Sequence, residues 1–252
     1  QSDIIKNMVS CLNKCDLSLA GIAIAPYLSG LSSLLEDEME LGVVCIDLGA
    51  ASSSLSIFFR KNLIFSQSLR IGGQHITSDI MQAFQIPFLA AERLKVLHGG
   101  LLPANSDDRE TLELPESNTD LFTERRTITK SELLGVIRPR VEEIFDSLRS
   151  ILDQSDFEFL PGQKIVLTGG GSQLENILDF ASTLLGKPTR VAVPMRIQGL
   201  PASAHGPEAA AVIGLALNLA QPQDEVWDFR APFEHEGDEF IRRTLRWVKA
   251  NW

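Results

Sequence analysis

The sequence predicts an α/β protein whose sheet is flanked by helices. Residues 41–48 form an apolar run rich in β-branched side chains, which is typical of a buried strand. Two further strand-like segments, residues 55–60 and 63–71, follow it and are joined by a tight turn at residues 61–62. Segments with helical periodicity alternate with short apolar segments over most of the remaining chain. With 252 residues, 44% hydrophobic and 22% charged, the composition is that of a folded protein with one or two domains.

The elements around these three strands follow from the same patterns. Before them we expect a helix at residues 3–15, a strand at 17–25, a helix opened by Pro26, and an acidic, solvated connector at 36–40. After them we expect helices at 74–84, 87–97, 173–185 and 208–219, and short strands at 111–114, 125–128, 164–167 and 189–193. Thr129 and Glu132 have the spacing of a capping box, which predicts a long helix from Thr129 to residue 152. Pro139 lies inside that helix and is expected to kink or restart it.

The last thirteen residues have the pattern of an amphipathic helix. The apolar positions, at spacings of four, three and four with two flanking aromatic residues, are Ile241, Leu245, Val248 and Trp252, with Phe240 and Trp247. The cations on the other faces are Arg242, Arg243, Arg246 and Lys249. Such a helix reaches roughly 20 Å, which is too short to span a bilayer but typical of a helix lying in a membrane interface. The alternative is a terminal helix that packs on the body of the protein.

The charge balance argues against nucleic acid as a partner. The net charge is −10, and the tail carries four cations and no acid, which leaves −14 for residues 1–239. A body of that charge repels nucleic acid and anionic lipid, so the basic tail is a local exception. Residues 220–239 are rich in acids and poor in apolar side chains, which predicts a linker. No apolar run is long enough to predict a transmembrane helix.

The side chains that commonly bind metals do not form a ligand set. Cys11 and Cys15 lie one helical turn apart, but no matching pair of His or Cys accompanies them. We therefore expect no metal bound directly by this chain, and we expect both cysteines to be small buried residues. The scattered histidines are His75, His98, His205 and His235.

Two turns between secondary-structure elements have features of a phosphate or nucleoside site. Asp47 ends the first strand, and the small residues that follow it are Gly49, Ala50, Ala51 and Ser52. Such a turn lets backbone N–H groups approach phosphate oxygens, with the carboxylate facing a metal or its bound water. The residues after the strand at 164–167 are Gly169, Gly170, Gly171 and Ser172, where backbone can lie flat against a nucleoside. Each turn alone is common in unrelated proteins, but together they indicate one cleft.

In this order the motifs resemble the actin-like ATPase superfamily, over nearly the whole chain. The segment around Asp47 is similar to its second phosphate loop, and residues 168–172 are similar to its adenosine loop. Glu92 and Lys95 share a helical face in a segment similar to the helix that contacts the adenosine, although from the residues alone they are equally an intrahelical ion pair. The resemblance implies an actin-like (ribonuclease H-like) fold, with a twisted mixed sheet, helices on both faces, two halves around a nucleotide cleft and a smaller inserted α+β subdomain.

More specifically, the chain resembles the bacterial cell-division protein family FtsA. Residues 40–47, 71–80 and 165–174 are similar to FtsA segments, and a polar linker followed by an amphipathic helix is absent from most actin relatives. The resemblance implies that ATP and Mg²⁺ bind to the intact protein, with Asp47 reaching the metal through a water. The residues that it implies in nucleotide binding are Asp47, Gly49, Ala50, Ala51, Ser52, Gly72, Gly73, Glu92, Lys95, Gly169, Gly170, Gly171 and Ser172.

The same resemblance divides the chain into parts. Residues 1–36 would belong to the end of the first actin-like half, and residues 37–81 with 162–219 to the nucleotide-binding core of the second half. Residues 82–161 would be the inserted subdomain, which carries the adenosine-contacting helix and a partner site. Residues 220–239 would be the acidic linker, and residues 240–252 the membrane-targeting helix.

Two features depart from the family pattern. Ala50, Ala51 and Ser52 stand where the family usually has Gly-Gly-Thr, and each added methyl narrows the approach to the phosphates. Strongly hydrolytic filament relatives carry a Glu before the Pro that opens the helix at Pro26, whereas this chain has Ala25, which cannot position a water. We therefore expect a nucleotide-binding scaffold with weak or absent ATP hydrolysis rather than an enzyme.

The resemblance also implies partners. FtsA recruits the tubulin-like ring protein FtsZ, whose acidic and apolar tail binds a basic helix position after an Ile-x-Pro-Arg pattern. Residues 137–140 match this pattern, which implies Arg140 as the anchor, with Glu143 on the same face and Lys130 at the helix start. From the residues alone, Arg140 would instead pair with Glu142 or Glu143 on the surface. The other implied partners are a second copy in a filament and the anionic surface on the cytoplasmic face of the inner membrane, at the division septum.

Two other superfamily members are alternatives. An actin-like pilus-assembly protein would keep the fold and change the partner, although the tail disfavours this reading. A sugar kinase or polyphosphate phosphatase would need an acid poised to activate a hydroxyl or a water, and Ala25 offers none.

Overall fold

The computed structural model describes residues 2–102, 104, 106–114, 126–155, 157, 160, 162–201 and 205–220. The chain divides into two compact units, Gln1–Ile22 with Pro222–Trp252 and Ala23–Gln221, which are treated separately. Helix α1 (Ser2–Lys14) lies in the first unit, where the sequence predicted it. The predicted linker after residue 220 and the predicted membrane helix lie outside the described residues, and the membrane residues concerned are Phe240, Ile241, Arg242, Arg243, Leu245, Arg246, Trp247, Val248, Lys249 and Trp252.

The second unit alternates helices and strands. Its helices are α2 (Ala25–Ser33), α3 (Glu36–Leu41), α4 (Gly73–Phe84), α5 (Phe88–His98), α6 (Lys130–Asp153), α7 (Ile177–Leu185) and α8 (Ala210–Ala220). Its strands are β1 (Val43–Leu48), β2 (Ser53–Phe59), β3 (Asn62–Leu69), β4 (Thr111–Glu113), β5 (Thr127–Thr129), β6 (Lys164–Thr168) and β7 (Thr189–Val191). Short 3-10 helices at Gly170–Gln173 and Pro207–Ala209 precede α7 and α8.

The main sheet is mixed, as the sequence analysis expected. Its strand order is β3-β2-β1-β6-β7. β1 pairs antiparallel with β2 and β2 with β3, whereas β1 pairs parallel with β6 and β6 with β7. β4 and β5 form a separate antiparallel pair between α5 and α6. The centre of the main sheet is therefore a parallel pair, β1 and β6, which are far apart in the sequence.

Alternate residues of β1 face two layers of helices. Val44, Ile46 and Leu48 belong to the larger core cluster, which also contains side chains of α4, α5, α6 and α7. Val43 and Cys45 belong to a second cluster, against which side chains of α2 and α3 pack. Because neighbouring side chains of a strand point to opposite faces, helices cover both faces of the sheet.

Helix α6 begins where its capping box predicts and continues through its proline. The Thr129 hydroxyl accepts from the Glu132 N–H at 3.1 Å, and the Glu132 carboxylate accepts from the Thr129 N–H at 2.7 Å. The helix then runs unbroken past Pro139, so of the two expected effects, a kink or a restart, the restart does not occur. Buried apolar residues on both sides of the proline, including Ile137 and Val141, fix the two parts against one core, and this packing outweighs the lost backbone hydrogen bond.

Two predictions for segments that precede β1 are wrong. No strand forms at residues 17–25; α2 begins at Ala25, and among the described strands none pairs with the preceding segment. A strand requires a neighbour for its N–H and C=O groups, so an apolar pattern alone does not produce one. The acidic connector at residues 36–40 is helix α3, and its Glu38 is only 8% exposed because it binds Arg190.

Two smaller predictions also differ from the structure. The helix predicted at residues 173–185 begins at Ile177, since the short 3-10 helix occupies the preceding turn. Cys11 and Cys15 are exposed rather than buried, whereas Cys45 is buried, and this burial raises the pKa of its thiol. In the part of the chain that the structure describes, no helix combines the length and the apolarity needed to cross a membrane.

Candidate functional site

The two turns predicted to form one cleft lie side by side at one edge of the sheet. β1 and β6 are parallel neighbours, and Asp47 pairs with Thr168 at the last position of their shared register. The carboxyl ends of parallel strands meet at the same edge, which is where open α/β sheets bind ligands. The turn at residues 49–52 and the glycine turn at residues 169–172 therefore begin next to each other.

The start of α4 is bonded to the turn at residues 49–52. The Gly73 N–H donates to the Gly49 carbonyl at 2.9 Å, and the next amide of α4 donates to the Ala50 carbonyl at 2.8 Å. A Cβ on Gly72 would lie 2.5 Å from the Gly49 carbonyl oxygen, so only glycine permits this approach. The amide of Gly73 is thus used within the protein, whereas residues 50–52 are exposed.

Asp47 is held between α2 and the glycine turn. The Ser29 hydroxyl on α2 donates to Asp47 Oδ2 at 2.6 Å. Burial raises the pKa of this carboxyl, and the hydrogen bond from Ser29 offsets only part of that effect. The other oxygen, Oδ1, faces Gly169, where a Cβ would lie 2.3 Å away and where φ is +82°. The carboxylate is therefore fixed at the end of β1 while remaining partly exposed.

Gly170 is the open position of the glycine turn. A Cβ on Gly171 would lie 2.9 Å from Leu48 Cβ, so Gly171 packs against β1. Ser172 is buried, and its hydroxyl donates to a carbonyl of the same turn at 2.7 Å. Gly170 is exposed, and a Cβ there would meet nothing closer than Glu208 Cβ at 3.7 Å. The turn therefore presents a flat backbone surface at Gly170, and its neighbours hold that surface in place.

Lys95 and Glu92 join α5 to the first turn of α4. Lys95 Nζ donates to the Gly73 carbonyl at 3.0 Å, to Thr77 Oγ1 at 2.8 Å and to Glu92 Oε2 at 2.7 Å. The Thr77 hydroxyl also contacts the Glu92 carboxylate. Burial raises the pKa of Glu92, but the hydrogen bonds from Lys95 and Thr77 outweigh it and leave the pKa below its ordinary value. All three ammonium protons of Lys95 therefore have acceptors, while the Glu92 side chain is 39% exposed.

The guanidinium of Arg140 is bound within the protein. It donates from Nε to Asp79 Oδ2 at 2.6 Å and from Nη2 to Asp79 Oδ1 at 2.9 Å, which is a bidentate pair between α6 and α4. Nη1 donates to Glu143 Oε2 at 2.5 Å. The hydrogen bonds to Asp79 raise the pKa of Arg140 further above its ordinary value. The surface pairing considered from the sequence is thus present with Glu143, but the stronger partner is Asp79.

Lys130 lies apart from Arg140 in a different group of charges. Its ammonium is 3.8 Å from Asp107, 3.8 Å from Glu110 and 3.6 Å from Glu175, and its side chain is only 17% exposed. Ten residues of helix separate it from Arg140, which is about 15 Å along α6. The structure therefore brings Arg140 and Glu143 together and places Lys130 elsewhere.

The family of the chain follows from its similarity to known sequences. The family model for cell division protein FtsA matches residues 44–214. The chain belongs to the FtsA family. The FtsA of Rhizobium meliloti (strain 1021) is 34% identical over 213 residues, which cover 84% of this chain and 48% of that protein. The chain thus spans about half the length of the curated FtsA relatives that it matches.

Solved structures of other proteins share the fold of this FtsA chain. MreB5 of Spiroplasma citri bound to ADP superimposes with a TM-score of 0.68 at 18% identity, over 86% of this chain and 64% of that one. A chain of the PilM–PilN type IV pilus biogenesis complex superimposes with a TM-score of 0.63 at 20% identity, over 86% and 58%. At these identities the likeness concerns the fold alone, and it confirms the predicted actin-like architecture.

The residues at the turns of this FtsA chain fit a nucleotide with a magnesium ion. The exposed turn at residues 50–52 offers backbone to phosphate oxygens, and Gly170 offers a surface that a side chain would otherwise cover. Asp47 is a fixed, partly exposed carboxylate beside both turns, which suits a metal-bound water. Ala50 and Ala51, which stand where the family usually has glycine, are both exposed.

Sequence reasoning missed the residues that hold this site together. Ser29, Thr77 and Asp79 bind Asp47, Lys95 and Arg140 respectively, and the partners are 18, 18 and 61 residues apart in the chain. Ser29 and Thr77 are ordinary helix residues, and no local pattern marks them. Asp79 could be seen in the sequence as an acid on the helix that follows the Gly72-Gly73 turn. The sequence did not show that α6 would bring Arg140 next to that helix.

Proposed function

We propose that this chain forms one side of an ATP site in an actin-like cell-division scaffold. The observation that carries the proposal is the convergence of the exposed turn at residues 50–52, the Asp47 carboxylate and the open Gly170 at one sheet edge. MreB5, which shares the fold, is described as bound to ADP, which supports a nucleotide here.

Each group at this edge has a role that follows from its chemistry. The backbone of residues 50–52 would bind phosphate oxygens, and Asp47 would orient a water on Mg²⁺. Gly170 would lie against the base, and the exposed part of Glu92 would accept from a ribose hydroxyl. Lys95, Gly72 and Gly73 would act indirectly, because their polar groups or close contacts fix α4 and α5 to the turn. Bound ATP would supply a triphosphate and its metal as a bridge to the rest of the intact protein.

ATP binding can be tested by calorimetric titration of Mg²⁺-ATP into the chain and two leucine variants. Gly170→Leu places a side chain on the proposed base surface, where space for it exists, and is expected to weaken binding at least about tenfold. Gly135→Leu is the control, since a Cβ at this exposed position of α6 would meet nothing within 4 Å. Equal affinities for the chain and Gly170→Leu would remove Gly170 from the site.

We propose that ATP hydrolysis is weak or absent. Ala25 lies one helical turn before Ser29, whose hydroxyl contacts Asp47, so the two side chains share the face of α2 near the carboxylate. The methyl group of Ala25 cannot hold an attacking water. Phosphate release by the intact protein at rates typical of metabolic enzymes, on the order of 10 per second, would overturn this proposal and favour a kinase or phosphatase.

We propose that Arg140 anchors the acidic tail of FtsZ, with Glu143 beside it on the same face of α6. A carboxylate of the peptide would take guanidinium N–H groups in the fork geometry that arginine offers. The test is titration of an FtsZ C-terminal peptide, with Arg140→Glu expected to lose binding. Arg138→Glu is the matched control, because Arg138 lies on the same helix and forms its own exposed pair with Glu142 at 2.8 Å. Equal affinity of the parent chain and Arg140→Glu would exclude Arg140 as the anchor.

We propose that residues 240–252 tether the protein to the cytoplasmic face of the inner membrane at the septum. The support is the basic amphipathic pattern of the sequence, and a single short helix of this kind gains strength from many copies on a polymer. Co-sedimentation with anionic vesicles should decrease when residues 240–252 are removed. Equal binding by both forms would refute the tether.

The pilus-assembly alternative is less well supported. The PilM–PilN likeness concerns the fold, whereas the family match and the basic tail both favour cell division.

A further inference from the structure

The position of Asp79 gives the proposed partner site a built-in competitor. Asp79 lies on α4 and Arg140 on α6, and the two carboxylate oxygens accept from Nε and Nη2 at 2.6 Å and 2.9 Å. This is the same fork geometry by which an arginine binds the carboxylate of a peptide. The two side chains are 26% and 28% exposed, so the pair is partly shielded from water.

The donors of Arg140 are largely occupied. A guanidinium has five N–H donors, of which Asp79 takes one on Nε and one on Nη2, and Glu143 takes one on Nη1. The Nε–Nη2 edge is therefore filled, while one N–H of Nη1 and one N–H of Nη2 remain. A peptide carboxylate can therefore take the Nε–Nη2 fork of Arg140 only by displacing Asp79.

We propose that Asp79 is an intramolecular competitor that an acidic peptide must displace from Arg140 on binding. The proposal rests on the proposed function of Arg140 as the anchor for such a peptide. In the free protein the Asp79 carboxylate occupies the Nε–Nη2 hydrogen-bond donors of Arg140, and this sets a threshold for binding, because it lowers the affinity of Arg140 for any single carboxylate of a partner. Partners that bring several acids and apolar side chains overcome this threshold, whereas isolated carboxylates do not.

Asp79 is better placed for this role than Glu143. Glu143 makes a single contact from the same helix, three residues away, and its side chain is 54% exposed. Such pairs are weak and exchange readily with water. Asp79 contacts Arg140 through two hydrogen bonds and belongs to a different helix, so displacing it removes a link between α4 and α6.

The test is the affinity of the FtsZ C-terminal peptide for the chain with Asp79→Asn. Removing the competing charge should strengthen binding by about fivefold, the upper range for an ion pair that water can still reach. Glu142→Gln is the matched control, because it removes one negative charge from α6 but the lost partner is Arg138. Its affinity should equal that of the parent chain. An Asp79→Asn affinity equal to or weaker than the parent value would refute the proposal.

Two further measurements separate the possible failures. Arg140→Ala should abolish peptide binding with or without Asp79→Asn; if it does not, the proposed anchor fails, and the role of Asp79 fails with it. If Arg140→Ala abolishes binding but Asp79→Asn does not strengthen it, only the competitor is refuted. If Asp79→Asn does not fold, the NMR signal of the Arg140 Nε–H in the parent chain, followed during the peptide titration, tests displacement instead. Displacement of Asp79 must shift this signal, because Nε donates to Asp79. An unshifted signal at peptide saturation would refute displacement.

Discussion

Replacing Glu38 by Gln should destabilise the protein more than any exposed charge change on the same helix. Glu38 Oε1 accepts from Arg190 Nε at 2.8 Å and Oε2 accepts from Arg190 Nη2 at 2.5 Å, and Oε2 also accepts from the Leu35 N–H at 3.1 Å. The same guanidinium donates to the Ser33 carbonyl at the end of α2. One ion pair thus joins α2, α3 and the edge strand β7.

The burial of the pair sets the magnitude. Breaking a fully buried ion pair by removing one partner costs about 3–5 kcal/mol, whereas exposed pairs contribute about 0–1 kcal/mol. The Glu38 side chain is 8% exposed and that of Arg190 is 35% exposed, so water can partly solvate the guanidinium that Gln leaves behind. We therefore expect a loss of about 2 kcal/mol in the free energy of unfolding, which lowers the Tm by about 4–8 °C in a chain of this size.

Urea unfolding at several pH values tests both the magnitude and its origin. Burial raises the pKa of Glu38, but the hydrogen bonds from Arg190 and from the Leu35 N–H outweigh it, and the pKa lies below its ordinary value. A lowered pKa in the folded state gives stability that is present above the unfolded-state pKa and lost as pH falls through the folded-state pKa. The difference in the free energy of unfolding between the parent chain and Glu38→Gln should therefore be largest at pH 7 and decrease below about pH 4.5.

Glu36→Gln is the matched control for this prediction. Glu36 lies on the same helix and pairs with Lys61 at 2.9 Å, but its side chain is 78% exposed. This pair should contribute no resolvable stability. If Glu38→Gln and Glu36→Gln unfold at the same urea concentration at pH 7, the burial of Glu38 does not make its pair stronger and the reasoning is refuted.

Four other substitutions have defined outcomes. Gly214→Ala should lower the free energy of unfolding by about 1–3 kcal/mol, because a Cβ there would lie 1.9 Å from the Leu28 carbonyl oxygen, whereas Gly135→Ala should raise it by about 0.5–1 kcal/mol; equal effects in chemical unfolding would contradict this. Asp47→Asn should raise the free energy of unfolding at pH 7, because burial raises the pKa of Asp47 in the folded state. The parent protein therefore loses stability as pH rises from the unfolded-state pKa to the folded-state pKa, whereas the variant does not. A stability difference between the two proteins that does not change with pH would refute this prediction. Thr129→Ala should cost about 1 kcal/mol through loss of the cap of α6, and circular dichroism melting that is unchanged would refute it.

Features set by neighbouring residues could be predicted from the sequence. The apolar run before Asp47 and the glycines after residue 168 specify strand ends and turns locally, and the structure places both turns at one sheet edge. The Thr129–Glu132 cap is local for the same reason, since its two hydrogen bonds join residues three apart. The resemblance to a known fold supplied the mixed sheet, whereas the parallel pairing of β1 with β6 emerges only from the structure.

Features set by distant partners could not be predicted. Glu38 looked like one of several solvated acids, because the residue that buries it, Arg190, lies 152 positions away. Arg140 was expected to pair with Glu142 or Glu143 or to bind a partner, and its contact with Asp79 was missed because Asp79 is on another helix. The strand expected at residues 17–25 failed for a related reason, since strands depend on partners that the local pattern does not reveal.

Helix α4 connects the two proposed binding sites, and this connection can be tested. Its first amides donate to the turn at residues 49–52, and Asp79, about 9 Å further along the helix, holds Arg140. A peptide that displaces Asp79 frees the middle of α4, whereas a nucleotide at the turn fixes its first residues. If the two events bias the same position of α4, then ATP must change peptide affinity by the same factor by which the peptide changes ATP affinity. We expect ATP to change the peptide affinity, and the peptide to change the ATP affinity, by the same factor. In Asp79→Asn, where α4 has already lost its contact with Arg140, neither ligand should change the affinity of the other. Peptide affinities that are identical with and without saturating ATP would show that α4 does not couple the sites.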